Sequence, residues 1–289
     1  MSEVPGPLQR WVLAARPRTL PAALVPVVVG AALVRPASIN WLNSLLCMVV
    51  ALALQIGTNY ANDYSDGVRG TDSVRVGPFR LTASKLVAPS RVKYAAWSSF
   101  SLGAIAGLVL ASRTSWWLVA VGLTAILAGW LYTGGPKPYG YYGFGELFVM
   151  IYFGFVATVG SSYVQHRSVP SSAWWFGLAT GSMACALLEA NNLRDVQGDQ
   201  LAGKKTLAAR LGRERASWLY ALCVGAVAVA LVVGGEAVIG GLALIVYIPA
   251  LKMAFSSRNG RDLLPLLQAS ARTQLALGGL LTATFFVTR

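Results

Sequence analysis

The sequence predicts an all-α protein that crosses a lipid bilayer many times, and three observations predict it. Of 289 residues, 55% are hydrophobic and 12% are charged, whereas a soluble domain carries roughly 25% charged residues. The apolar residues gather into uncharged runs of the length a bilayer requires. Lys and Arg fall overwhelmingly on alternate connections between those runs.

Nine apolar segments can be read, at roughly 19–35, 41–61, 93–111, 115–133, 145–165, 172–193, 216–234, 237–255 and 270–287. The first is short and holds Pro21 and Pro26, which predicts a kink. Ahead of it, Leu8 to Arg16 reads as an amphipathic helix lying on the membrane surface. Met1 to Arg18 is polar and basic, without the apolar core of a cleavable signal peptide. Gly103 and Gly107 in the third segment read as close helix packing. Trp116, Trp117, Trp174 and Trp175 sit near predicted outer ends and read as an interfacial belt. The chain is expected to form a single membrane domain.

Orientation follows from charge. With the N-terminus in the cytoplasm, only Arg35, Arg113, Arg167 and Arg289 of the 24 Lys and Arg residues face outward. The net charge of +13 is then a topology signal, and nucleic acid is not an expected partner. The 18 Arg to 6 Lys, with abundant Ala and Val, suggest a bacterial source and its plasma membrane. His166 is the only histidine, which argues against a His-based metal site and a Ser-His triad. Cys47, Cys185 and Cys223 lie in apolar runs without metal-ligand spacing.

Two long connections, roughly 62–92 and 194–215, face inward and hold most of the polar chemistry. Six of the eleven acidic residues lie there or at the helix ends before them: Asp63, Asp66, Asp72, Glu189, Asp195 and Asp199. The first motif runs Asn59-Tyr-Ala-Asn62-Asp63-Tyr-Ser-Asp66, then Gly70-Thr-Asp72; the second runs Glu189-Ala-Asn191-Asn192-Leu-Arg-Asp195-Val-Gln-Gly-Asp199. Asn62 and Asp66 are four residues apart, as are Asn191, Asp195 and Asp199. Four residues make about one helical turn, so each set lines one face. An Asp-rich loop alone reads as a solvated turn; the repeated spacing at two inner helix ends predicts facing acidic ridges. Carboxylates aimed at one cleft repel unless a cation joins them. Oxygen ligands without His or Cys suit Mg²⁺, which shares its sites with phosphate oxygens. Arg75, Arg80, Arg194, Lys204 and Lys205 supply the positive charge a diphosphate requires.

These residues resemble the two Asp-rich motifs of UbiA-type intramembrane prenyltransferases. The likeness extends to the 1,4-dihydroxy-2-naphthoate branch through three blocks: Ala61 to Arg80; Leu131-Tyr-Thr-Gly-Gly-Pro-Lys-Pro-Tyr-Gly-Tyr-Tyr-Gly-Phe-Gly-Glu146; and Asn191 to Gly212. The resemblance implies nine transmembrane helices around a central cavity, open to the cytoplasmic face and sideways to lipid. It implies that Asn62, Asp66, Asp72, Asn191, Asp195 and Asp199 hold Mg²⁺ and diphosphate. Gly70 stands where the broader family pattern has its last Asp, and Asp72 follows two residues later. The implied partners are polyprenyl diphosphate, 1,4-dihydroxy-2-naphthoate and membrane lipid.

The middle block allows two readings. It is a tight turn with interfacial tyrosines, or it places Lys137 on the diphosphate or the acceptor's acid. In the second reading, Tyr132 and Tyr139 face an allylic cation and Glu146 orients the acceptor. Catalytic roles are expected for Asp66, Asp195, Lys204 and Lys137. Substrate contacts are expected from Asn59, Asn62, Asp63, Arg75, Arg80, Tyr132, Tyr139, Glu189, Asn192 and Lys205. The expected reaction ionises the prenyl diphosphate, joins its chain to the naphthoate ring and releases CO₂, giving demethylmenaquinone. Other aromatic acceptors, such as 4-hydroxybenzoate or homogentisate, are the nearest alternative. A secondary transporter would place its charges near the midplane, whereas these sit at helix ends.

Overall fold

The computed structural model describes residues 5–71 and 79–288. Asp72 and Arg75 lie outside the described residues. Within them, helix forms wherever the apolar pattern predicts it, and no strand occurs. The helices are α1 (Pro7–Ala14), α2 (Pro21–Ala31), α3 (Trp41–Arg69), α4 (Pro89–Arg113) and α5 (Trp117–Leu131). Next come α6 (Gly145–Val149), a π-helical stretch (Met150–Val159) and α7 (Gly160–His166), which run on as one continuous helix. The chain ends with α8 (Ser172–Leu201), α9 (Leu207–Val233), α10 (Ala237–Val246), α11 (Ile248–Ala254) and α12 (Leu264–Thr288).

Among the described residues, four helices are long and apolar enough to cross a membrane, or six if two bent pairs each count as one span. The chain is a multi-pass membrane protein. The predicted count of nine crossings goes beyond those six. Each of the nine apolar segments coincides with a helix or bent helical run, but α2 and α5 are short, at 11 and 15 residues. A straight crossing takes roughly 20.

The bend expected in the first segment falls at Leu20, immediately ahead of Pro21. Pro26 sits inside α2, and the 54° turn lies between the α1 region and α2. Ahead of the bend, Arg16 adopts a left-handed conformation (φ 54°) just before Pro17. The α1 helix lies against α3, its Trp11 ring edge-on to Tyr60, and leaves Leu8 and Val12 exposed. That apolar outer face fits a surface helix.

The main core joins α2, α8, α9, α10 and α12 around Phe176, Tyr220, Tyr247, Leu266 and Phe285. The π-helical stretch packs on α8 where Gly154 meets Gly177 and Gly181. A Cβ at Gly154 would lie 2.7 Å from the Gly177 carbonyl oxygen and 2.9 Å from the Gly181 Cα. Small residues thus let two backbones touch. Helix α5 packs along α3 and α4, and no comparable packing joins it to the Gly145–His166 helix among the described residues.

Candidate active site

Both inner motifs are helical. The apolar run of α3 ends near residue 61, yet the helix continues to Arg69 and stops at Gly70. Gly70 takes the left-handed conformation (φ 74°) that closes many helices. Four-residue spacing then makes two polar stripes, one step apart around the axis. Asn62 and Asp66 form the first, Asn59 and Asp63 the second.

The second stripe holds chain segments rather than lining the cleft with carboxylate. Both Asp63 oxygens accept backbone N–H groups, from Leu81 and Thr82, each at 2.8 Å. Asn59 donates to the Ala15 carbonyl (2.8 Å) and the Thr19 hydroxyl (3.1 Å). Asp63 is 1% exposed and lines neither cavity described below. The structure therefore gives Asp63 a backbone-anchoring place instead of the substrate contact expected of it.

The first stripe faces the cleft. Asn62 accepts the Thr133 hydroxyl at 2.7 Å. Asp66 is met by Lys204 Nζ at 3.2 Å, by an Arg80 guanidinium nitrogen at 3.9 Å, and by the Tyr141 hydroxyl. Lys204 also stands 4.5 Å from the Tyr141 ring centroid, a cation–π distance. Burial, reinforced by the Asp66 charge, pushes the Tyr141 phenol well above the ordinary tyrosine range. Tyr141 thus stays protonated and donates to Asp66.

On α8 the helix likewise runs past the apolar segment, to Leu201, carrying Asn191, Asp195 and Asp199 on successive turns. Arg194 forks onto Asp195, with Nε to Oδ1 at 2.7 Å and an Nη to Oδ2 at 2.6 Å. The α8–α9 connection folds back so that the Lys204 N–H bonds the Asp199 carbonyl (2.8 Å), and Thr206 reaches the Asp199 carboxylate (3.4 Å). That return brings Lys204 to Asp66, 138 residues away. Asn192 donates to Glu146 (2.9 Å) and Glu189 (3.2 Å). Glu189 is fully buried behind the wall and lines neither cavity.

The middle block splits between the two readings of it. Arg69 fastens it to α3 through the carbonyls of Thr133 and Gly135. Tyr132 lines both cavities, and Tyr139 lines the apolar one. The Tyr132, Tyr139, Phe148 and Tyr152 rings contact one another in series, with centroids 4.0 to 6.2 Å apart. Lys137 and Lys205 are exposed and line neither cavity. The structure does not bring these two cations to the cleft; Lys205 instead uses its backbone N–H on the Tyr141 carbonyl.

Two cavities meet here. A polar cleft of about 420 Å³ holds Asn62, Asp66, Arg80, Asn191, Arg194, Asp199 and Lys204. An apolar cavity of about 280 Å³ extends from it between α3, α5 and the Gly145–His166 helix. Arg16, Thr19, Asn62, Tyr132, Leu188 and Asn191 line both. Arg16, Thr133 and Tyr141 were not singled out as site residues from sequence, because their partners are distant in the chain. Within the described residues, no three Asp, Glu, His or Cys side chains converge on one point. The cleft's donors are mixed amide and carboxylate oxygens, the set that fits Mg²⁺ when phosphate oxygens complete its shell.

Fold and site define an integral membrane protein whose charged cleft opens into an apolar chamber. Residues 23–266 match the UbiA prenyltransferase family, and the chain belongs to that family. It is 49% identical over 276 residues to a 1,4-dihydroxy-2-naphthoate octaprenyltransferase of Mycobacterium tuberculosis, covering 92% of this chain and 93% of that protein. An Escherichia coli protein of the same name is 35% identical over 221 residues, covering 74% and 72%. A UbiA homolog from Archaeoglobus fulgidus bound to DMAPP and Mg²⁺ shares the fold at a TM-score of 0.66 and 15% identity, covering 95% of this chain and 99% of that one. The chain is a prenyltransferase by family.

Proposed function

We propose that this protein transfers a polyprenyl group from its diphosphate to 1,4-dihydroxy-2-naphthoate, at the cytoplasmic face of a bacterial plasma membrane. One observation carries the reading: a cleft of paired carboxylates and cations shares six lining residues with an apolar cavity. A prenyl diphosphate has that same division, and its reacting carbon lies at the join.

Asn62, Asp66, Asn191 and Asp199, which line the cleft, would hold Mg²⁺; Asp195 is buried behind Arg194 and lines neither cavity, and would join them as Arg194 turns to the diphosphate. When bound, the ion neutralises diphosphate oxygens and favours departure of the leaving group. The chain's own residues supply the rest. Asp66 now engages Lys204, and Asp195 engages Arg194. A diphosphate entering the cleft gives those cations new partners and frees carboxylate oxygens. Lys204, Arg80 and Arg16 then take up charge as the C1–O bond breaks. Tyr132, which lines both cavities, and Tyr139 beside it in the apolar one would stabilise an allylic cation by about 1–2 kcal/mol each. The cation attacks the ring carbon bearing the carboxylate. That carboxyl leaves as CO₂, its bonding pair restores aromaticity, and the product forms at the quinol level of demethylmenaquinone.

Mass spectrometry of products from 1,4-dihydroxy-2-naphthoate and a prenyl diphosphate tests the reading. The expected product is the prenylated, decarboxylated naphthalenediol, abolished by EDTA and restored by Mg²⁺. Prenylation of 4-hydroxybenzoate or homogentisate in preference would replace the acceptor while keeping the class. No transfer to any acceptor would reject the reading.

A further inference from the structure

We infer that Gly122 on α5 sets how long a donor tail the protein accepts, by keeping open the seam between α5 and the Gly145–His166 helix. This inference rests on the prenyl-transfer reading above. The apolar cavity occupies that seam and measures about 280 Å³, near the lower limit of small-molecule pockets at roughly 300 Å³. An octaprenyl tail is far larger, so its distal end must leave the chamber. The seam is pinned at both ends. Trp117 Nε1 donates to the Tyr163 hydroxyl at 3.2 Å, with the rings 5.2 Å apart. At the other end α5 is held by the turn that leads into that helix (Tyr139–Tyr142), where the Tyr139 hydroxyl donates to the Ala128 carbonyl at 3.0 Å.

Between the pins, the two helices contribute Gly122 and Gly160 to the cavity wall. A Cβ built on either glycine meets no atom within 4 Å. Gly129, on the same helix as Gly122, is different: its Cβ would lie 2.6 Å from the Thr58 hydroxyl and 3.2 Å from the Phe100 ring. Gly129 is small because α5 packs closely there. Gly122 borders empty volume, so a larger side chain at 122 would fill the passage without wedging helices apart. Replacing glycine inside a helix also removes a helix-propensity penalty, so folding should not suffer.

The test compares geranyl and octaprenyl diphosphates as donors to the purified full-length chain in lipid nanodiscs. Gly122→Leu should lower kcat/KM for the octaprenyl donor by about ten-fold or more relative to the geranyl donor, whose value should stay within about two-fold. Gly122→Ala should fall between the wild type and Gly122→Leu. Gly241→Leu, at an exposed α10 glycine that lines neither cavity, should leave the ratio unchanged. Equal effects on both donors, or none, would overturn the proposal. Wild-type protein active with neither donor would overturn the prenyl-transfer reading, and this inference with it.

Discussion

At the end of α3, four-residue spacing produces two stripes with separate duties. Asn59 and Asp63 tie down the segment entering α2 and the connection after α3. Asn62 and Asp66 face the cleft and bond groups from the middle block and the α8–α9 connection. At the end of α8 the same spacing gives one stripe, and its central Asp195 is paired by its own neighbour Arg194. The first motif is therefore organised by distant parts of the chain, the second largely by itself. Sequence spacing marks both as polar ridges, but only the surroundings decide which carboxylates remain available to a ligand.

That contrast can be broken from either side. The largest effect is expected for Asp66→Ala, and for Asp195→Ala in the other motif. Each should lower turnover by about a thousand-fold or more while membrane insertion is retained, read by product mass spectrometry and by yield of folded protein. Near-normal turnover in either variant would remove that motif from the chemistry.

Lys204→Gln should lower kcat by about a hundred-fold, because the cation that crosses between the motifs is lost. Restoration by Lys204→Arg would show that charge, rather than the ammonium itself, is required. An unchanged kcat would leave Lys204 as a structural link alone.

Asp63→Asn separates the two α3 stripes. An amide keeps one carbonyl acceptor but exchanges the other oxygen for a donor facing a backbone N–H, a conflict worth about 1–3 kcal/mol. Thermal unfolding should shift downward, while kcat at permissive temperature stays within about three-fold. A kcat loss comparable to that of Asp66→Ala, without loss of stability, would return Asp63 to the reacting site. The smallest effect is expected for Lys137→Ala. The residue is exposed and outside both cavity walls, so steady-state kinetics should stay within about two-fold of wild type.

The helices were legible because apolar runs in a membrane protein have few alternatives to helix. The motifs were legible because a one-turn spacing survives as long as the helix continues, and here it continues through both. What escaped reading depends on tertiary geometry. Nothing in the apolar pattern of 150–159 distinguishes π from α helix, yet that stretch is π-helical. The connection expected at 194–215 is shorter than predicted. The last turns of α8 occupy its start and α9 begins at Leu207, with a break at Gly212 (φ 77°, ψ 169°). Polar residues that continue a helix resemble a loop when only hydropathy is read. Tyr141 was one of four tyrosines in a glycine- and proline-rich block, and its bond to Asp66 spans 75 residues. Lys137 is that block's only cation, but it is exposed and lines neither cavity.

The central claim is that both motifs grip one diphosphate through shared divalent ions. Calorimetric titration of pyrophosphate with Mg²⁺ into the wild type, Asp66→Asn, Asp195→Asn and the double variant tests it most directly. Each single change should weaken binding by about ten-fold or more, and the double variant should lose much less than the combined effects of the two. Unchanged affinity in either single variant, or fully additive losses, would contradict a site shared between the motifs.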